Sequence, residues 1–164
     1  MEQLVDHIKS PIGPLRLVWE DDVLSGLHFM DAEQPSPIGR VPRAILDPIE
    51  AYFEGDLTAI DAMKVNMRGT AFQRQVWTAL RGIPAGATIS YKELALRIGN
   101  PTATRAVGLA NGSNPIAIVV PCHRVIGADG SLTGYGGGLD RKRWLLAHEQ
   151  GVAHLRASAA PTRG

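Results

Sequence analysis

The chain has 164 residues, 45% of them hydrophobic and 20% charged, a globular balance that argues against disorder. Its longest apolar run, Ile116–Val120, is far short of the ~20 residues a membrane span needs, and its one cysteine, Cys122, excludes an intramolecular disulfide and any zinc site with two Cys ligands. The net charge of +1 hides an asymmetry: residues 1–68 hold six Lys/Arg against twelve Asp/Glu, whereas residues 69–164 hold eleven against four.

Leu4–Ile8, Leu15–Trp19 and Val23–Phe29 alternate or run apolar between the turns Ser10–Pro14 and Glu20–Asp22, which predicts an antiparallel meander. Residues 31–42 are acidic and proline-containing and read as a loop. Asp47-Pro48 resembles an N-cap followed by Pro at the first helical position, opening a short helix that Gly55 ends. Met63, Val65 and Met67 alternate like one more strand. The character changes near Gly69, so the chain divides into an N-terminal sheet-containing unit (1–68) and a C-terminal unit (69–164).

Thr70-Ala71-Phe72-Gln73 is a capping box opening a helix whose stripe is Phe72, Val76, Trp77 and Leu80. Ser90-Tyr91-Lys92-Glu93 is a second such box, and Gly99 ends that helix. Residues 103–111 form another short helix, completing a helix-turn-helix pattern. Its residues are small (Ala103, Thr104, Ala106, Gly108, Ala110), with Arg105 the one long basic side chain. Gly108 costs about 1 kcal/mol relative to Ala, so either close packing within the protein or close approach of a partner accounts for it. The basic half is a footprint suited to a polyanion; attraction between two lobes is the plainer account.

Residues 115–121 (PIAIVVP) read as a strand buried on both faces. Cys122-His123 follows it. A cysteine is most often a small buried hydrophobe, but here cationic Arg124 lies beside it, and nearby cations lower a thiol pKa. An imidazole needs an orienter. Among the acids after Gly69, Glu149 is the one on the apolar side of a helix over 140–150, and is favoured for that role. Gly127–Gly138 holds six glycines around Tyr135 and lacks a GK[ST] ending, so no nucleotide cofactor is expected. It suggests a loop that closes over a flat ligand. Arg141-Lys142-Arg143 in the first turn of the last helix is electrostatically misplaced, which a nearby phosphate would ease.

Asn114-Pro115, Pro121-Cys122-His123-Arg124-Val125, Gly134-Tyr135-Gly136-Gly137-Gly138, Arg105-Ala106-Val107-Gly108 and Tyr91 together resemble the signature of O6-alkylguanine-DNA alkyltransferases. The resemblance covers about residues 69–151; the N-terminal half is similar only in general plan. It implies an α+β fold (α/β in the broad sense), with an antiparallel sheet and a helix first and a mainly helical helix-turn-helix unit second. It implies repair of O6-alkylguanine, and less efficiently of O4-alkylthymine, in double-stranded DNA bound through the minor groove by a monomer, with cooperative assembly left open. Cys122 would accept the alkyl group irreversibly, His123 would take its proton through a water, and Glu149 would hold the imidazole. Asn114 would fix the turn, Tyr91 would assist rotation of the nucleotide, and Arg105 would take its place in the stack. Ala103, Thr104, Ala106, Gly108 and Asn111 would line the DNA-facing helix. Tyr135, Gly136 and Val125 would contact the base. No cofactor is expected, and no zinc either: relatives with structural zinc use cysteines and histidines in the N-terminal half, and this chain has no Cys outside position 122. The N-terminus carries no apolar signal-peptide core, so the cytoplasm is the expected location. Residues 152–164 match nothing and are expected to be mobile.

Three other readings compete. A Cys-His-Glu hydrolase would turn over repeatedly. An alkyltransferase-like damage sensor would have the acceptor cysteine replaced, usually by Trp. A plain helix-turn-helix regulator would leave the Cys-His-Glu set unexplained and bind as a dimer.

Overall fold

The computed structural model describes residues 3–32 and 34–159, the last helix beyond residue 152 by its backbone alone. Strands β1 (Leu4–Ile8), β2 (Leu15–Glu20) and β3 (Val23–Phe29) form the antiparallel meander that the alternation predicts. Leu4 faces Trp19 across β1–β2, and Leu15 faces Phe29 across β2–β3. Leu15, Leu17 and Trp19 point into the core from alternate positions, as the two-residue period of a strand requires. The loop after β3 is tied down by Asp6, whose buried carboxylate accepts from the backbone N–H groups of His7, Ile38 and Arg40.

Helix α1 (Arg43–Phe53) begins a turn earlier than Asp47-Pro48 suggests, with Pro42 as its N-cap and Pro48 inside it. Ile45, Ile49 and Tyr52 make one buried stripe. Burial of Ile45 recruits the earlier turn despite a proline that removes one helical hydrogen bond. Gly55, at φ +113°, ends the segment as expected. The predicted strand at Met63–Met67 reduces to a single parallel bridge between Val65 and Leu24.

Helices α2 (Ala71–Arg81), α3 (Tyr91–Arg97) and α4 (Thr104–Gly112) follow, α3 preceded by the two-residue strand β4 (Ile89–Ser90). Both arms of the Thr70–Gln73 capping box are present. The second box is half made: Ser90 accepts from the Glu93 amide, while the Glu93 carboxylate pairs with Arg97. Gly99, at φ +74°, closes α3 as a C′ glycine.

The apolar run 115–121 is buried as predicted but is not a strand. One bridge joins Ile116 to Leu27 of β3, and the chain then turns back on itself with Ile118 at φ +70°. A β-branched residue in the left-handed region is an outlier, held by its surroundings. Asn114 supplies the hold: its Oδ1 accepts from the Ile116 amide at 2.9 Å and its Nδ2 donates to the Val120 carbonyl at 2.7 Å. A 3₁₀ turn, Cys122–Arg124, and strand β5 (Val125–Ile126), parallel to β4, complete this region.

Helix α5 runs Leu139–Ala159, longer than the sequence suggests; residues 152–159 continue it, and 160–164 lie outside the described residues. One apolar core spans the chain from Ile8 to Leu145, with members on both sides of residue 68. Among the described residues no helix is long and apolar enough to cross a membrane.

Candidate active site

The turn that Asn114 organises delivers Cys122 to the wall of a cavity of about 220 Å³. Asn111, Asn114, Phe29 and the loop residues Gly134–Gly137 share in its lining. A volume below the ~300–1,000 Å³ of drug-sized sites suits one flat ring. Gly137 is required by close approach, since a Cβ there would lie 2.3 Å from the Phe29 ring. The loop thereby sits directly on β3, with the Tyr135 and Phe29 rings 5.8 Å apart.

Behind the cysteine lies a buried polar cluster. His123 and Glu149 are both fully buried, with Nε2 to Oε2 at 2.8 Å. Burial pushes the Glu149 carboxyl up, but contact with His123 and Arg124 outweighs this and holds it far below the usual carboxylate range. An ionised carboxylate only accepts, so Nε2 carries the imidazole proton and donates it. The other nitrogen, Nδ1, is left as a lone pair, buried and without a partner among the described residues. Burial holds the His123 pKa below its ordinary value despite the pull of Glu149. The imidazole is therefore a neutral base in a fixed tautomer.

Arg124 does not activate the thiol, as its position in the sequence suggests. Its Nε donates to Glu149 Oε1 at 2.8 Å, its Nη2 to Oε2 at 2.9 Å and its Nη1 to the Ile83 carbonyl at 2.7 Å. The cation acting on Cys122 is Lys142, also fully buried, whose Nζ donates to the carbonyls of Val125 and Thr133. Burial nevertheless dominates and raises the thiol pKa, with Asn114, Lys142 and the Tyr135 hydroxyl pulling it part of the way back. The raised pKa favours the protonated thiol. Burial first, and then the neighbouring Cys122, push the Tyr135 phenol well up, so it stays a donor; its oxygen is buried with no hydrogen-bond partner among the described residues.

The structure thus brings Cys122, Asn114, Tyr135 and Gly136 to one cavity, with His123 and Glu149 behind it. Val125 does not line the cavity, and its carbonyl is taken by Lys142. Tyr91 stands at the start of α3, its hydroxyl bonded to Thr133 of the glycine loop. Thr104, Arg105 and Ala106 are exposed on α4, and Ala103 and Gly108 partly so. Asn111, grouped by sequence with that helix face, is buried instead: it lines the cavity and its Nδ2 reaches the Cys122 carbonyl at 3.4 Å. The basic triplet opening α5 needs no phosphate. Arg141 binds the Met30 and Ile12 carbonyls and Asp31, Lys142 is buried, and Arg143 pairs with Asp140. Sequence reasoning has no access to Tyr52, whose hydroxyl donates to Glu149 Oε2 at 2.6 Å from 97 positions away. Lys142 stands out in the sequence only as a cation at the wrong end of a helix. Among the described residues no cluster of three or more His, Cys, Asp or Glu side chains is disposed to hold a metal ion.

Residues 71–151 match the family model described as the DNA-binding domain of 6-O-methylguanine DNA methyltransferase. The methylated-DNA–protein-cysteine methyltransferase of Mycolicibacterium paratuberculosis is 57% identical over 149 residues, covering 87% of this chain and 90% of the relative. The protein of that name from Salmonella typhimurium is 44% identical over 162 residues, covering 89% and 95%. The crystal structure of Mycobacterium tuberculosis OGT in complex with DNA superposes with a TM-score of 0.79 at 52% identity, covering 89% of this chain and 92% of that one. With this identity along nearly its whole length, the chain belongs to the methylated-DNA–protein-cysteine methyltransferase family.

Proposed function

We infer that this chain is a DNA-repair protein that moves a methyl or larger alkyl group from guanine O6 in DNA to its own Cys122, once per chain. DNA is its partner, through a DNA-binding domain of the matching family. The observation that carries the reading is a neutral, tautomer-fixed His123 buried beside a cysteine that opens on a ring-sized cavity. His123 Nδ1 takes the thiol proton, directly or through a bridging water. The sulfur electron pair forms a bond to the alkyl carbon as the carbon–O6 bond breaks, and the pair from that bond goes to the base. Donors that meet charge as it develops lower such a barrier, and the Tyr135 hydroxyl and the Gly136 amide fill that role. The product is a thioether, which has no good leaving group, and nothing in the chain regenerates the thiol.

The target base lies within a duplex and must leave the stack. We assign α3–α4 to the minor groove, Arg105 to the vacated place in the stack and Tyr91 to rotation of the nucleotide. All these groups come from one chain, in keeping with a monomer. In this scheme residues 69–164 carry the chemistry and residues 1–68 its support.

Gly108 bears on the DNA contact. A Cβ there would meet Tyr91 at 3.7 Å, an ordinary contact, so packing within the protein does not demand glycine. Gly108→Ala is expected to stabilise the chain by up to about 1 kcal/mol while weakening duplex affinity. Thermal melting and a binding titration check this; unchanged affinity would remove Gly108 from the interface.

The function itself is tested by mass measurement after incubation with DNA containing O6-methylguanine. The chain should gain one methylene equivalent, located on the peptide holding Cys122, with methyl groups removed never exceeding chains present. Repeated turnover would favour the hydrolase instead, and an unmodified chain beside intact lesions would favour a damage sensor.

A further inference from the structure

Glu149 has more donors than a carboxylate that merely orients an imidazole requires. Its Oε2 receives His123 Nε2 at 2.8 Å, Arg124 Nη2 at 2.9 Å and the Tyr52 hydroxyl at 2.6 Å. Tyr52 belongs to α1, in the half of the chain that the family model leaves unmatched.

Its placement is fixed on several sides. The residue is fully buried. Its ring packs edge-on against Phe53 and His148, at centroid distances of 5.3 and 5.2 Å. His148 Nε2 donates to its carbonyl at 2.7 Å, and Trp144 stacks on that imidazole at 4.8 Å. Burial, and then the neighbouring carboxylate, push the Tyr52 phenol pKa far up, so the hydroxyl is a donor at every working pH.

We propose that Tyr52 is a positioning residue for alkyl transfer, its hydroxyl fixing the Glu149 carboxylate and drawing off part of the charge that would otherwise hold a proton on His123. Residues 1–68 thereby contribute to the chemistry as well as to the core. The inference rests on the alkyl-acceptor reading above.

The physical logic has a definite sign. A carboxylate oxygen shared with a phenol and a guanidinium attracts an imidazolium less strongly than a bare one. His123 then stays neutral, with Nδ1 free to take the thiol proton. Without the phenol donor, the full carboxylate charge turns toward the imidazole and its pKa rises. The ionisable groups around this pair are Tyr52 from α1, Cys122 and Arg124 from the 3₁₀ turn, Tyr135 from the glycine loop, and Lys142 and His148 from α5. Tyr52→Phe keeps the ring and alters none of the other groups.

The experiment measures alkyl transfer from free O6-benzylguanine to wild type and Tyr52→Phe across pH, alongside ¹⁵N titration of the His123 imidazole. The variant loses one hydrogen bond and leaves no buried donor orphaned, and a melting curve verifies its fold. The acid limb of its rate profile is expected to move up by about half to one pH unit, slowing transfer about three- to tenfold on that limb. The imidazole titration should move with it. A folded variant whose acid limb and imidazole titration both coincide with wild type would reduce Tyr52 to packing and overturn the proposal. A wild-type chain that accepts no alkyl group would overturn the reading beneath it, while the imidazole titration, which needs no substrate, would still decide whether Tyr52 governs His123.

Discussion

Glu149→Gln is expected to damage fold and chemistry together, costing about 3–5 kcal/mol of stability and slowing transfer by about 10²–10⁴-fold. The stability loss comes from Arg124. Its guanidinium is 2% exposed and has two of its three hydrogen bonds on this carboxylate; with an amide in its place the charge is buried without an anion. The kinetic loss comes from His123. An amide that can present either oxygen or NH₂ to Nε2 no longer dictates which nitrogen holds the proton. Wild type carries the matching acid sensitivity. His123 has a depressed pKa in the fold, so its contribution is complete above the unfolded imidazole value, about 6.5, and is lost as pH falls below it. Glu149, also depressed, contributes above the ordinary carboxylate value and loses that contribution further down. Melting temperature should therefore fall in acid for wild type, and the lower part of that fall should flatten in the variant. Melting curves across pH and single-turnover rates on the folded fraction test both parts. A variant as stable and as fast as wild type would dismantle the relay.

Arg105→Ala is expected to slow repair of duplex DNA by about 10²-fold, the kinetic equivalent of the few kcal/mol needed to unstack a base, while leaving transfer from free O6-benzylguanine nearly untouched. The side chain is exposed and makes no hydrogen bond or ion pair with the described residues, so its removal should not disturb the fold. Parallel rates on duplex and free base check the separation. Equal losses on both substrates would place Arg105 in the chemistry, and no loss on either would leave the extruded base without its substitute.

The parts of this protein that follow local rules are legible in its sequence. The meander follows from alternation and the Thr70 box from two side chains three residues apart. Gly55 and Gly99 mark helix ends because other residues avoid their backbone angles. Distant forces decide the rest. The run 115–121 announces burial, but a uniformly apolar segment has no period to tell a strand from a turn; two hydrogen bonds from Asn114 make that choice. Pro48 suggests a helix start until the burial of Ile45 extends the helix past it. Cys122, His123 and Glu149 can be picked out because each is anomalous in its local setting. Tyr52 cannot, since a tyrosine on the apolar stripe of a helix looks like any core aromatic until the fold carries it to Glu149.

The contacts of the basic half also change what its composition means. Arg81 is turned onto the carbonyls of Ile60, Asp61 and Met63, Arg97 answers Glu93, and Arg124, Arg141, Lys142 and Arg143 are engaged as described. Lys92 and Arg105 hold no such partner among the described residues, and they stand on the two helices of the helix-turn-helix. Arg81, Arg124, Arg141 and Lys142 are thus internal mortar, whereas Arg97 and Arg143 hold pairs on the surface. Cations spent inside the fold shed no condensed counterions when the protein settles on DNA, so its grip should be less sensitive to ionic strength than a tally of lysines and arginines implies.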